Sequence, residues 1–226
     1  LNTPNKKIIT VEDPIEYILG GINQVQVNVL AGMTFAKALR AMLRQGPDII
    51  MVGEIRDKET GGIAVNASLT GHFVFSTLHT NDAPGAITRM IDLGIKPFLV
   101  SSATRCVMAQ RLVRLVCGEC RRRATIPAEV LRESGLDPAL AEAHEFFEGA
   151  GCIECGGTGY RGRTAVCELL DLTDELREMI LARAPTSEIK QAMRAKGMRF
   201  LRDAAVEKVL SGVTTLREIN KVTFAK

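Results

Sequence analysis

Residues 7–16 read KIITVEDPIE, a short apolar run followed at once by three carboxylates and a proline. The run does not alternate with polar residues, which is typical of a strand in a parallel sheet that is covered on both faces. Two more runs of this kind follow, IIMVG at residues 49–53 and FVFSTL at residues 73–78. We therefore expect three strands, each buried on both faces.

Helical patterns lie between and after these runs. FAKALRAMLRQ at residues 35–45 has its apolar side chains on one face, and DAPGAITRMIDLG at residues 82–94 begins with an N-cap aspartate and ends on glycine. KETGGIAVNASL at residues 58–69 predicts a weaker helix, because Gly61 and Gly62 each cost about 1 kcal/mol relative to alanine. Strands that alternate with helices predict an α/β fold with a parallel sheet.

Polar residues follow every predicted strand. The first strand is followed by Glu12, Asp13 and Glu16, the second by Glu54 and Arg56, and the third by His79. In parallel sheets, ligands bind beyond the carboxyl ends of the strands. A single residue of this kind is read equally well as a helix cap or a turn residue. Three strands that all end in this way favour a binding site.

The residue types at these strand ends suit Mg²⁺ and a phosphate ester. Carboxylates and substrate phosphates are the ligands that Mg²⁺ prefers, and phosphoryl transfer to water needs an acid to orient the water. Glu54 ends an apolar strand in the manner of a Walker B acid, and Gly53 stands where many nucleotide-driven motors have aspartate. His79 follows the next strand and is placed to contact a γ-phosphate. No G-x-x-x-x-G-K-[ST] motif occurs, so a phosphate loop must lie upstream of Leu1 or nucleotide is not the ligand.

Four of the six cysteines form two C-x-x-C pairs, Cys117 with Cys120 and Cys152 with Cys155. Two such pairs in a chain without a secretion signal favour a structural zinc ion held by four thiolates over two disulfides or a redox site. The G-x-G-x-x-G run at residues 157–162 then reads as turns around the metal loop. Cys106 and Cys167 have apolar neighbours in the sequence, so we expect buried thiols.

Composition indicates a globular protein, since 46% of the 226 residues are hydrophobic and 24% are charged. No apolar run reaches the roughly 18 residues that span a bilayer, and the N-terminus has no signal-peptide pattern, so we expect a cytoplasmic protein and allow that it is a fragment. A zinc-ribbon module that binds nucleic acid stays open as an alternative, because residues 121–123 are three arginines. A net charge of +3 and the scarcity of tyrosine and tryptophan count against it.

Long motifs resemble those of the type II secretion and type IV pilus assembly ATPases. IITVEDPIEY at residues 8–17 is similar to their Asp box, residues 38–57 to their Walker B segment, and SLTGHFVFSTLHTNDA at residues 68–83 to their His box. Residues 108–120 and 151–170 resemble the tetracysteine region of the secretion and pilus-extension branches. The resemblance covers essentially the whole chain, in order.

The resemblance implies three parts. A partial RecA-like P-loop NTPase core with a parallel sheet occupies residues 1–113 and lacks the Walker A loop. A tetracysteine zinc-binding subdomain follows at residues 114–168, and a small C-terminal helical domain occupies residues 169–226. The expected cofactors are ATP, Mg²⁺ and Zn²⁺.

The resemblance also implies roles for single residues. Glu16 matches the general base for the attacking water, Glu12 and Asp13 would shape the metal site, and Glu54 matches the Walker B glutamate. His72 and His79 match the His box pair. Three arginines match residues thought to sense nucleotide or a neighbouring subunit: Arg40, Arg44 and Arg56. This chain departs from the family pattern at Gly46, where aspartate is common, and at the Gly61–Gly62 pair, which interrupts a usually ordinary helix.

The function that follows from the resemblance is an ATP-hydrolysing hexameric motor that powers pseudopilus assembly and protein export in type II secretion. Such a motor would be cytoplasmic, peripheral to the inner membrane, and bound to an inner-membrane platform and to cytoplasmic domains of anchor proteins. Pilus extension is the alternative, whereas the cysteine pairs argue against a pilus-retraction motor. Without the phosphate loop, this chain alone should be inactive.

Overall fold

The computed structural model describes residues 1–223. The chain forms two compact units. The first unit consists of Leu1–Val107 and Asp171–Ala192, and the second consists of Met108–Leu170 and the residues from Met193 onward. The helices after residue 171 are thus shared between the two units. The division into residues 1–113, 114–168 and 169–226, with a separate C-terminal helical domain, stays a prediction.

The first unit contains a parallel sheet, as the sequence predicts, but it has four strands rather than the three expected. Its strands are β1 Ile8–Glu12, β2 Asn23–Gln26, β3 Ile49–Val52 and β4 Phe73–Ser76, in the order β2-β1-β3-β4. Val11 pairs with Val52, and Val52 pairs with Ser76. Because the strands are parallel and in this register, β1, β3 and β4 end together at one side of the sheet, which we name the carboxyl edge.

Helices follow β2, β3 and β4 and continue along the chain. They are α1 Phe35–Leu43, α2 Lys58–Leu69, α3 Ala83–Asp92, α4 Pro97–Ala103, α5 Ala128–Glu133, α6 Leu140–Ala143, α7 Asp174–Leu181, α8 Thr186–Ala195, α9 Leu201–Leu210 and α10 Leu216–Thr223. None of the helices described within residues 1–223 combines the length and apolarity that a bilayer crossing requires.

The core of the first unit lies between the sheet and its helices. Ile9 and Val11 of β1, Ile50 and Val52 of β3, and Leu39 of α1 are almost completely buried. Burial of side chains of this size stabilises the fold by about 1.5 to 3 kcal/mol each. The core therefore fixes β1 and β3, the two central strands from which most of the candidate site residues follow.

Helix caps hold the segments that follow the strands. Asp57 accepts a hydrogen bond from the Thr60 N–H at the start of α2, and Asp82 accepts one from Gly85 at the start of α3. The predicted N-cap at Asp82 is thus confirmed. The predicted helix over residues 58–69 is confirmed, and α2 runs through Gly61 and Gly62 without a break.

Strand β4 differs from the prediction that all three apolar strands are buried on both faces. Phe73 is 53% exposed and Phe75 is 41% exposed, whereas β1 and β3 are buried. In the described part of the chain, β4 lies at the end of the sheet and pairs with β3 alone. Strand β2 was missed, because its sequence NQVQ is polar and short and therefore carries little strand signal.

The second unit contains two small sheets. Strand β5, Cys106–Val116, begins in the first unit and pairs with β8, Tyr160–Asp171, while β6 Arg121–Ala124 pairs antiparallel with β7 Phe146–Gly149. Cys106 and Cys167 are both exposed, so the expectation of buried thiols was wrong. Successive side chains of a strand point to opposite faces. Val166, the residue before Cys167, therefore lies on the buried face while Cys167 points to the exposed one.

Candidate functional site

Glu54, Arg56 and His79 meet at the carboxyl edge. Glu54 follows β3 and its side chain is only 11% exposed, while His79 follows β4 and its ring is 81% exposed. The Glu54 Oε2 atom lies 2.9 Å from His79 Nε2 and 2.5 Å from Arg56 Nε. The contact with His79 is a hydrogen bond when Nε2 carries the proton. Two loops that follow different strands are thus joined through one carboxylate oxygen.

The partners of Glu54 keep it ionised. Burial raises the pKa of Glu54, but the hydrogen bonds from Arg56 and His79 outweigh burial and hold the pKa below its usual value. A carboxylate that stays charged is the form that binds a divalent cation directly or through water. An ionised carboxylate at this edge is thus a donor that suits Mg²⁺.

Glu12 is held on the side of the sheet where β2 lies. Its Oε1 atom accepts hydrogen bonds from Thr10 Oγ1 at 2.5 Å and from Gln24 Nε2 at 2.9 Å. Gln24 also donates to the Tyr17 carbonyl at 3.0 Å and accepts from the Leu19 N–H at 2.7 Å. Gln24 therefore ties the loop after β1 to the carboxylate of Glu12, and sequence reasoning missed it along with β2.

Asp13 and Glu16 lie in this same loop and are exposed. The Asp13–Pro14 peptide bond is cis. Neither residue belongs to the contact group of Glu54, Arg56 and His79. The assignment of Glu16 as general base stays a prediction, supported by its place in the loop that follows β1.

His72 lies at the opposite side of the sheet from His79. It precedes β4, whereas His79 follows it, and its Nδ1 atom lies 3.1 Å from the Ala67 carbonyl at the end of α2. The structure therefore does not bring the two histidines of the predicted pair together. Arg40 on α1 and Arg44, the residue after α1, also lie outside the group of Glu54, Arg56 and His79. Arg40 pairs with Glu59 at 2.6 Å, and Arg44 is exposed at the helix end.

The four cysteines of the C-x-x-C pairs converge in the second unit. Their sulfur atoms all lie within 4.8 Å of one another, and the closest pairs are 3.7 to 3.9 Å apart. Four thiolates arranged tetrahedrally around zinc at about 2.3 Å have sulfur atoms roughly 3.8 Å apart. The residues present therefore fit a closed, structural zinc site.

Backbone N–H groups support these sulfur atoms. Gly151 donates to Cys120 Sγ at 3.3 Å, and Cys152 and Gly159 each donate to Cys155 Sγ at 3.2 Å. Burial raises the pKa of the Cys120 thiol to about 11, whereas the N–H groups of Cys152 and Gly159 lower the pKa of Cys155 to about 6. These donors stabilise the thiolate of Cys155, which is the form that binds zinc.

The glycine run at residues 157–162 forms turns beside the cysteines, as the sequence suggested. Gly157, Gly159 and Gly162 all have φ between 76° and 78°, a conformation that favours glycine. A Cβ atom on Gly159 would overlap the Gly149 carbonyl. The motif therefore serves close packing around the sulfur cluster.

The three arginines of residues 121–123 have partners on or directly before β7, the strand that pairs with β6. Arg122 pairs with Glu148 at 2.7 Å, Arg123 pairs with Glu145 at 2.6 Å, and the Arg121 guanidinium stacks on Phe147 at 3.7 Å. A nucleic-acid surface needs basic groups that are available to phosphates. Each of these three arginines therefore has an acidic or aromatic neighbour, while the side chains of Arg122 and Arg123 stay largely exposed.

A family model described as "Type II/IV secretion system protein" matches residues 1–221. The chain belongs to this family. Within the type II/IV secretion family, the chain is 54% identical over 217 residues to the type IV pilus assembly ATPase PilB of Thermus thermophilus, covering 96% of this chain and 24% of that protein. It is 50% identical over 223 residues to type II secretion system protein E of Pseudomonas aeruginosa, covering 99% of this chain and 44% of that protein. The chain therefore spans less than half the length of these relatives.

Solved structures share the fold of this type II/IV secretion family member. The pilus retraction motor PilT with bound ADP superposes with a TM-score of 0.69 at 26% identity and covers 97% of this chain and 53% of PilT. The Legionella pneumophila ATPase DotB superposes with a TM-score of 0.65 at 23% identity, covers 96% of this chain and 51% of DotB, and shows the fold alone. The α/β fold with a parallel sheet is thus confirmed.

Proposed function

We propose that the carboxyl edge forms part of an ATP-hydrolysis site in a motor that powers pseudopilus assembly and protein export by type II secretion. The observation that carries this proposal is the contact of the ionised Glu54 with His79 and Arg56 at the ends of two parallel strands. Membership of the type II/IV secretion family supports it. The proposed core is of the RecA-like P-loop type, with Mg²⁺ and ATP as cofactors.

Each residue at the edge has a distinct part in this proposal. Glu54 binds the hydrated Mg²⁺ of the bound nucleotide, and His79 senses or contacts the γ-phosphate from the neighbouring loop. Glu16 orients the attacking water, while Glu12 and Asp13 shape the metal site beside it. Arg56 moves from Glu54 toward the nucleotide or a neighbouring subunit when the site is occupied.

The remaining predicted residues have supporting parts. Arg40 and Arg44 respond to nucleotide or to a neighbouring subunit. His72 lies at the opposite side of the sheet and influences the site indirectly, by its contact with the end of α2. The four cysteines hold zinc and stabilise the second unit, because a closed tetrathiolate site has no position for a reacting water.

The assembly that we propose is a hexamer in the cytoplasm. It acts at the inner membrane on a platform protein and on the cytoplasmic domains of anchor proteins. Names of relatives support a role in type II secretion, since protein E of Pseudomonas aeruginosa and ATPase E of Vibrio cholerae are described as type II secretion proteins.

Hydrolysis should depend on a phosphate loop that these 226 residues do not contain, since no G-x-x-x-x-G-K-[ST] motif occurs in them. The test compares Mg²⁺-dependent ATP hydrolysis by the complete protein with hydrolysis by this 226-residue chain. We expect turnover by the complete protein and none by the chain alone. Measurable turnover by the chain alone would contradict the placement of the phosphate loop.

Extension of type IV pili is a second candidate, favoured by the 54% identity to PilB of Thermus thermophilus. The two candidates use the same site chemistry and differ in the fibre that is assembled. Deletion of the gene in its own host separates them. Loss of protein export with normal surface pili supports secretion, whereas loss of pili with normal export supports pilus extension.

A further inference from the structure

Thr77 contacts the peptide groups on both sides of Glu54. It is the first residue after β4, and its Oγ1 donates a hydrogen bond to the Gly53 carbonyl at 2.6 Å. Its own carbonyl accepts a hydrogen bond from the Ile55 N–H at 3.0 Å. Because Gly53 and Ile55 flank Glu54 in the chain, these two bonds fix the backbone from which the Glu54 carboxylate projects.

The Gly53 peptide is also held from the other side, by β1. The Gly53 N–H donates to the Val11 carbonyl at 2.8 Å. A Cβ atom on Gly53 would lie 3.1 Å from that carbonyl oxygen and 3.4 Å from Glu12 Cα, so the backbone passes close to β1. Gly53, the residue before Glu54, is therefore hydrogen-bonded to β1 on one side and to Thr77 on the other. The bond to β1 joins main-chain atoms, whereas the bond from Thr77 to Gly53 depends on a side chain.

Thr77 also lies two residues before His79. In a regular parallel ladder, a main-chain N–H of the neighbouring strand would donate to a carbonyl such as that of Gly53. Here the Thr77 hydroxyl donates to this carbonyl, and the chain beyond Thr77 reaches Glu54 through the His79 ring. Thr77 is thus hydrogen-bonded to the backbone beside Glu54 and is also the first residue of the segment that leads from β4 to His79.

We infer that Thr77 is a positioning residue that sets the placement of Glu54 relative to His79 through its hydroxyl group. This inference rests on the proposed function, in which Glu54 binds Mg²⁺ and His79 contacts the γ-phosphate. Loss of the hydroxyl leaves both site side chains present but loosens the peptide before Glu54. The consequence is poorer alignment of the metal and the reacting phosphate, with little change in nucleotide binding.

The test uses the complete protein with Thr77→Val, which keeps the β-branched shape and removes the hydroxyl, and Thr77→Ser, which keeps the hydroxyl. Steady-state ATP hydrolysis is measured against ATP and against Mg²⁺, together with melting temperature. For Thr77→Val we expect kcat about tenfold lower, KM for ATP within about twofold of wild type, and half-saturation by Mg²⁺ raised several-fold. Thr77→Ser should restore both kcat and the Mg²⁺ dependence.

Two results would overturn the inference: wild-type kcat and Mg²⁺ dependence in Thr77→Val, or an equal loss in Thr77→Ser. If Thr77→Val fails to fold, Thr77→Ala compared with Thr77→Ser gives the same contrast. Glu54→Gln is measured in parallel. Full activity in Glu54→Gln would mean that the proposed function has failed, whereas an inactive Glu54→Gln beside a fully active Thr77→Val means that only the role of Thr77 has failed.

Discussion

His79 Nε2 lies 2.9 Å from Glu54 Oε2, although 25 positions separate the two residues in the chain. The contact forms because β3 and β4 are parallel neighbours that end in register, so the loops after them emerge side by side. The contact lies at the carboxyl edge, which is where proteins with an open parallel sheet bind their ligands. The geometry and the family together support a nucleotide site at this position.

Alanine substitutions at the two neighbouring glycines of α2 should have opposite effects on stability. A Cβ atom on Gly61 would lie 2.7 Å from Ile95 Cδ1, whereas a Cβ atom on Gly62 would meet nothing within 4 Å. Gly61→Ala should therefore destabilise the first unit by about 1 to 3 kcal/mol through overpacking. Gly62→Ala should stabilise it by about 0.5 to 1 kcal/mol through helix propensity. Urea unfolding of both variants checks this, and equal signs would contradict the packing described.

Arg183 offers a second stability test. It is the one non-glycine residue with positive φ among the described residues, at 55°, and it follows the end of α7. The left-handed conformation costs an L-residue about 1 kcal/mol and costs glycine little. Arg183→Gly should raise the free energy of unfolding by about 0.5 to 1 kcal/mol. A destabilised variant in thermal or urea unfolding would show that the arginine side chain contributes more than its backbone strain.

The cysteine cluster predicts about one zinc ion per chain. Cys152→Ser removes one of four thiolates, and because structural zinc contributes of the order of 10 kcal/mol to small sites, we expect loss of the metal and unfolding of the second unit. Metal analysis of the purified protein and its near-UV signal before and after chelation measure this. Cys167→Ser is the matched control, since Cys167 is an exposed thiol outside the cluster. Protein that is folded but free of zinc would contradict the site.

The stability of the second unit should depend on pH through Glu218. This side chain is 6% exposed and binds Arg114 and Lys221. Burial raises the pKa of Glu218, but the hydrogen bonds from these two partners outweigh burial and hold the pKa below its usual value. Because the folded pKa is lowered, the stabilisation is fully present above the unfolded pKa and is lost as pH falls through the folded value.

Glu218→Gln tests this dependence. The variant should be less stable than wild type by about 2 kcal/mol at about pH 7, less than a fully buried pair would give because Arg114 is partly exposed. The difference should shrink as the pH falls through the lowered pKa of Glu218 and the carboxylate becomes protonated in wild type. Urea unfolding at several pH values measures it. A difference that stays constant on acidification would exclude the ionised pair as its source.

Some of the site could be predicted from the sequence, for physical reasons. The proximity of Glu54 and His79 follows from apolar runs that end in polar residues, since parallel strands end at the same edge. The convergence of four cysteines follows from paired C-x-x-C spacing. Both patterns are local in sequence and rest on strong geometric rules.

Other features depend on which loops the fold brings together. Gln24 lies on a polar strand without a hydrophobic pattern, and the role of Thr77 depends on the loop across from it. The exposure of Cys106 and Cys167 depends on which strand face the core covers. The separation of His72 from His79 follows only once the length and direction of β4 are known.

Hydrolysis of ATP by the complete protein with Glu54→Gln, across a range of Mg²⁺ concentrations, tests the proposed site most directly. Glu178→Gln is the matched control, because Glu178 is an exposed acid on α7. We predict that Glu54→Gln lowers kcat by about 100-fold or more while nucleotide still binds, and that Glu178→Gln behaves as wild type. Turnover by Glu54→Gln at the wild-type rate and with the wild-type Mg²⁺ dependence would contradict a catalytic site at the carboxyl edge.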